Sequence, residues 1–127
     1  MEFLRKPDAT TTKQAGDAAE DRALAHLLGG GLKLLARNYR TPGRGGGEID
    51  LIMRDSAGTV VFVEVRQRST RDFGGAAASV SATKQRRIVF AARHYLMRMA
   101  TTPPCRFDVV SLEDGRIEWL RAAFDVA

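Results

Sequence analysis

Glu64 and Arg66 stand two apart in the run VVFVEVR, residues 60 to 66, so on an extended strand an acid and a permanent cation project to the same side. Asp50 lies in the preceding run GEIDLIMRD, and the segment Ser56, Ala57, Gly58 between the runs suits a three-residue hairpin loop with Gly58 left-handed. Directly paired residues of an antiparallel ladder keep a constant sum. With that loop Asp55 opposes Thr59, and Asp50 falls across from Glu64 with both side chains on one face. A loop of two or four residues instead opposes Asp50 to Val63 and separates the acids. Two carboxylates about 5 Å apart repel, and a divalent cation between them relieves the repulsion. Oxygen-only ligands select Mg²⁺ or Mn²⁺, which activate water and neutralise charge on a phosphodiester, while a neighbouring cation steadies the transition state. The plainer reading pairs these acids with Arg54, Arg66 or Arg68 on a solvated face. Phe62 and Ile52 share the face, however, and favour a covered cleft.

A third acid sits on a helix. From Thr12 the segment KQAGDAAEDRALAHLL is rich in helix formers, has a threonine cap available and stops at Gly29 to Gly31. Glu20 there has Gly16, Ala23, Leu24 and Leu27 at helical spacing, which is the apolar, core-facing stripe. Burying a carboxylate costs several kcal/mol unless it meets a partner, a proton or a metal. An arginine at the stripe's edge is the bland partner.

Around these groups the chain reads as alternating elements. Residues 1 to 11 read as a disordered tail, and 12 to 127 as a single domain. Residues 32 to 40 form a strand, and Gly43 to Gly47 a flexible connection before the acid-bearing hairpin. The stretch from Ser69 to Thr83 reads only as loop. Lys84 opens a second helix to about Ala100, with Ile88, Ala92, Tyr95, Leu96 and Met99 on one face and Arg86, Arg87, Arg93, His94 and Arg98 over the other. Pro103 and Pro104 end it, RFDVVSL makes another strand, and GRIEWLRAAF a shorter strand or irregular terminal segment. A helix between the third and fourth strands implies a crossover with parallel pairing, hence a mixed α/β sheet flanked by helices.

Composition removes other classes. The chain has 127 residues, 44% apolar and 28% charged, with a formal charge of +5 that favours polyanionic partners. Its single cysteine, Cys105, forms no internal disulfide and suits a reducing cytosol. The start lacks the apolar core of a signal peptide and no apolar run is long enough to cross a bilayer, so a cytoplasmic protein without membrane contact is expected. His26 and His94 with one cysteine make no zinc cluster. GRGGGE lacks the ending of a phosphate-binding loop, and no nucleophile elbow surrounds any serine.

The assembled residues, GxxxE on the first helix, RNYR, GEIDLI, VFVEVRQRS, the Lys84 helix and RFDVV, resemble the YraN-like family of uncharacterised bacterial proteins from Gly16 to Phe124. That family is assigned to the restriction-endonuclease-like superfamily and is similar to archaeal Holliday-junction resolvases. The resemblance implies a helix-strand-strand-strand-helix-strand core, Asp50 and Glu64 as metal-binding acids, and Glu20 as the helix carboxylate completing the site. Arg66 stands where family members usually carry a lysine. A guanidinium is no proton shuttle near neutral pH but still holds phosphate, so the change implies altered or weakened catalysis more than lost nucleic-acid binding. Lys84, at the start of its helix and near the core-facing side, is the substitute amine, or else a solvated first-turn lysine. The glycines before the acid strand exceed the family's usual length.

The leading expectation is a nuclease-like domain dependent on Mg²⁺ or Mn²⁺ that hydrolyses DNA phosphodiesters, including those of branched DNA. Asp50, Glu64 and Glu20 are the metal and catalytic acids, Arg66 meets the scissile phosphate, and Lys84, Arg86, Arg87 and Arg93 contact the backbone. A non-catalytic nucleic-acid-binding module is the rival. A protein-interaction domain using Phe90 and Met97 is the third reading, and an isologous homodimer on that face accommodates it.

Overall fold

The chain following Thr11 forms α1 over Thr12–Gly29 in this computed structural model, which describes residues 11–68 and 80–126. Residues 1–10 of the expected tail lie outside the described residues. Thr11, assigned to that tail, instead caps α1. Its hydroxyl accepts from the Gln14 amide at 3.0 Å while the Gln14 side chain accepts from the Thr11 amide at 2.9 Å, a reciprocal pair that satisfies two exposed donors. The helix ends as expected at glycine, with Gly31 in the left-handed region and the Leu32 amide donating back to the Leu27 carbonyl.

Five strands follow in one sheet whose spatial order is the chain order: β1 (Lys33–Arg40), β2 (Glu48–Arg54), β3 (Val60–Gln67), β4 (Cys105–Glu113) and β5 (Arg116–Phe124). All neighbours are antiparallel except β3 and β4, which run parallel, and α2 (Ala82–Leu96) lies between them in sequence. The helical crossover therefore carries the parallel pair, as the element order predicts.

Three boundaries differ from expectation. α2 starts at Ala82, two residues before Lys84, because the Ser81 hydroxyl accepts from the Lys84 amide at 3.1 Å and caps it. It ends at Leu96 and not near Ala100, the chain continuing there as turns. β5, expected as shorter or irregular, is a nine-residue strand paired along β4, interrupted by one register shift between Phe107 and Val109, with Ala122 left-handed on the facing strand. Residues 69–79, most of the expected loop, lie outside the described residues.

Apolar residues divide between the two sheet faces. Ile52, Val60, Phe62, Phe107 and Val109 pack with Ile88, Ala91, Ala92 and Tyr95 of α2. Leu51, Met53, Val61, Val63, Val110 and Leu112 pack with Ala19, Ala23 and Leu27 of α1. β3 is therefore covered on both faces, which explains its nearly unbroken apolar run. Among the described residues no helix is long and apolar enough to cross a membrane.

Candidate functional site

The hairpin has the register that a three-residue loop dictates. Leu51 pairs with Val63 and Arg54 with Val60, and the Asp55 amide donates to the Thr59 carbonyl at 3.0 Å. The ladder stops at Leu51 and Val63, one step short of the acids. There the Val65 amide donates to Asp50 Oδ2 at 2.8 Å, so a side-chain carboxylate takes the place of a main-chain acceptor.

One expectation of simple alternation fails beside it. Ile49 packs on the α2 side, whereas Leu51 and Met53 pack on the α1 side. On the paired strand Tyr39 likewise faces α2 while Arg37 reaches α1. The face change falls at Asp50 in β2 and, across from it, at Asn38 in β1, whose φ of 54° is left-handed. Asparagine tolerates that conformation better than most residues.

Glu64 is 4% exposed and hydrogen-bonds the Asp50 carboxyl. Burial, then the Asp50 charge, push its carboxyl up to about 8. Asp50 is also raised, chiefly by burial, against the opposing pull of the Val65 amide and the Glu64 hydrogen bond. The pair thus holds a shared proton between its oxygens near neutral pH.

Two cations approach from different elements. Lys84 Nζ lies 3.5 Å from Glu64 Oε2, and Arg66 Nη1 lies 3.9 Å from the same oxygen. Both distances describe ion pairs and not tight hydrogen bonds. The early start of α2 places Lys84 in its first turn, where its ammonium faces Glu64 while the side chain stays 39% exposed.

Glu20 sits at the edge of the α1 stripe, not at its centre, since Ala19, Ala23 and Leu27 are the buried residues. Its carboxylate receives Arg37 Nε at 3.4 Å, and the Asn38 amide, turned to donate, lies 3.1 Å away. Burial and then the Asp50 charge raise its carboxyl, so it stands within electrostatic reach of the hairpin acids while bound to its own partners. Arg37 also joins Asp21 at 2.7 Å and the Asp17 carbonyl at 3.3 Å, tying β1 to α1. Arg37 and Asn38 open the RNYR motif, but sequence alone assigned them no role in the site. An asparagine inside the strand run LLARNYR was the available signal.

The glycine segment is not the flexible connection expected. The Thr41 amide donates to the Gly47 carbonyl at 3.0 Å and the Gly47 amide to the Thr41 hydroxyl at 2.7 Å, while Arg87 Nε donates to the Gly46 carbonyl at 3.2 Å. Gly47 passes so close to α2 that a Cβ there would lie 2.0 Å from the Arg87 carbonyl oxygen. Arg87 thus belongs to this loop beside β2, whereas Arg86 and Arg93 are exposed around a separate hollow on the outer side of α2. Asp50, Glu64, Arg66 and Lys84 are brought together, Glu20 stands beside them, and Arg86 and Arg93 face elsewhere.

Among the described residues no group of three or more His, Cys, Asp and Glu side chains is arranged to hold a metal ion. The two touching carboxylates are a donor set of the kind Mg²⁺ uses, since that ion takes one or two carboxylates and completes its shell with water and phosphate.

The fold and site define a small α/β protein with an acid pair at the split end of a hairpin. The sequence pattern of the uncharacterised protein family UPF0102 matches residues 19–112, and the chain belongs to that family. A UPF0102 protein of Albidiferax ferrireducens is 71% identical over 120 residues, covering 94% of each chain. Another, of Paracidovorax citrulli, is 68% identical over 116 residues, covering 91% of this chain and 86% of that one. A third, of Cupriavidus taiwanensis, is 58% identical over 125 residues, covering 98% and 93%. The motif resemblance to the YraN-like family is thereby shown.

Proposed function

We propose that the protein is a nuclease-like domain of restriction-endonuclease-like fold that uses Mg²⁺ or Mn²⁺ to hydrolyse DNA phosphodiesters, branched DNA included. The observation that carries this reading is the contact between Asp50 and a buried Glu64, with Lys84 and Arg66 both within 4.0 Å of Glu64. Two buried acids that share a proton form an anionic pocket as soon as that proton leaves, and a hard dication is the species that replaces it most simply. When bound, such a cation lowers the pKa of its water and neutralises phosphate charge. Asp50 and Glu64 would hold it, and Glu20, steadied by Arg37 and Asn38, would orient water at the rim. Arg66 and Lys84 would then meet the phosphate oxygens, with Arg87 on the backbone beyond.

A second reading, a nucleic-acid-binding module without turnover, is favoured by Arg66, since a guanidinium on the acid strand offers no transferable proton. The deciding experiment incubates purified protein with Mg²⁺ or Mn²⁺ on linear, nicked and four-way DNA, beside Glu64→Ala. Cleavage that disappears in Glu64→Ala supports the nuclease. Binding that weakens steeply with salt, without cleavage of any substrate, supports the module.

A further inference from the structure

The outer side of α2 carries a feature that the acid pocket does not use. Phe90 is 54% exposed, and it stands four residues after Arg86 and three before Arg93, on one stripe of the helix. Both arginines are exposed as well. With Val89, Asp125 and Val126 these residues line a hollow of about 520 Å³ between the helix and the end of the chain. α2 bears Lys84, Arg86, Arg87 and Arg93 and no acidic residue.

An exposed aromatic ring flanked along the helix by two guanidiniums matches the chemistry of an unpaired nucleotide. Every base has an apolar face that stacks on such a ring, and its phosphates seek cations on either side. Bases inside a duplex are already stacked and present no face to Phe90. A second copy of this chain is disfavoured by charge, because a two-fold contact would bring these arginines together in a protein that is already +5. We propose that the hollow binds a single-stranded nucleic acid segment, one base stacked on Phe90 and the adjoining phosphates held by Arg86 and Arg93. Asp125 repels phosphate from its end of the hollow and accepts from a base amino group, which sets the base inward. The proposal deepens the DNA-acting reading by naming a single-stranded arm as the part gripped away from the acids, yet it needs no cleavage.

The test measures fluorescence anisotropy of a labelled oligodeoxycytidylate and of a blunt duplex against the full chain in EDTA at low salt. Wild type binds the single strand more tightly, and Phe90→Ala weakens that binding about tenfold, the scale of one lost base stack, with the duplex affinity unchanged. Phe90→Trp retains single-strand affinity, and Arg86→Ala with Arg93→Ala weakens it and lowers its salt dependence. Because Phe90 is exposed, melting curves of all variants are expected to match wild type. The proposal is overturned by equal binding of wild type and Phe90→Ala, by a loss in Phe90→Trp as deep as in alanine, or by a wild-type dimer in sedimentation that Phe90→Ala dissolves. Glu64→Ala keeps the hollow intact. Phe90-dependent binding without any Mg²⁺- or Mn²⁺-driven cleavage therefore defeats the nuclease reading alone, and cleavage with Phe90-independent binding defeats this one alone.

Discussion

Lys84 Nζ lies nearer to Glu64 Oε2, at 3.5 Å, than does the guanidinium of Arg66 at 3.9 Å, although Arg66 is two residues away on the acid's own strand and Lys84 arrives from α2. The compact, strongly hydrated charge of an ammonium therefore reaches the acid from the helix. In the nuclease reading Lys84→Met lowers the cleavage rate by about a hundredfold, the scale of removing one positioned charge stabiliser. Arg66→Lys raises the rate on the same DNA with Mn²⁺. Wild-type turnover in Lys84→Met would reduce this lysine to a structural partner of Glu64.

Stability should vary with pH in the direction opposite to that of most carboxylates. Glu64 is ordinarily near 4.5 and is held at about 8 in the folded protein. The native state therefore keeps a proton that the unfolded chain releases across this window, and ∂ΔG/∂pH is negative there. The contribution is complete below the ordinary value and is lost as pH rises through the folded one. In EDTA the melting temperature falls on going from mildly acidic to mildly alkaline buffer, and Glu64→Gln flattens the profile. Added Mg²⁺ or Mn²⁺ restores stability most at the alkaline end, since the cation replaces the proton. Identical slopes in wild type and Glu64→Gln would count against the shared proton.

The acid pair was legible because a hairpin loop is a local signal. Ser56, Ala57 and Gly58 fix the loop length, and that length aims Asp50 toward Glu64, although the ladder ends one pair earlier, at Leu51 and Val63, and side chains bridge the remaining step. The polar support of Glu20 was not legible, because it depends on Arg37 and Asn38 reaching α1 from β1, and on a left-handed asparagine reversing which side chains face which helix. Periodicity assumes that no such reversal occurs. The start of α2 was misplaced for a related reason: Ser81 caps through a single hydroxyl, in a stretch of small residues where period carries no information.

Asn38 offers a direct measure of that reversal. Asn38→Val places a β-branched residue at a φ of 54° and should cost about 1–2 kcal/mol in urea unfolding. Asn38→Gly keeps the backbone and loses only the amide contact to Glu20, about 0.5–1.5 kcal/mol. A valine variant as stable as the glycine variant would show that the strand adopts ordinary extended geometry there.

Two glycines should respond with opposite signs. Gly47→Ala drives a Cβ into the Arg87 carbonyl, and the displacement of loop from helix should cost about 1–3 kcal/mol. Gly16, in α1, has nothing within 4 Å of an added Cβ, so Gly16→Ala should stabilise by about 0.5–1 kcal/mol through helix propensity. Thermal or urea unfolding of the two variants checks both.

The parallel ladder joins Val60 to Cys105 and Gln67 to Leu112 across the whole α2 crossover. During synthesis the hairpin holding the acids is finished long before β4 emerges, and until then β3 presents an apolar, unpaired edge open to other chains. A ribosome stalled or a gene truncated ahead of residue 105 would thus release a sticky fragment, and the segment from Cys105 onward, under a fifth of the 127 residues, covers that edge as the chain's own chaperone.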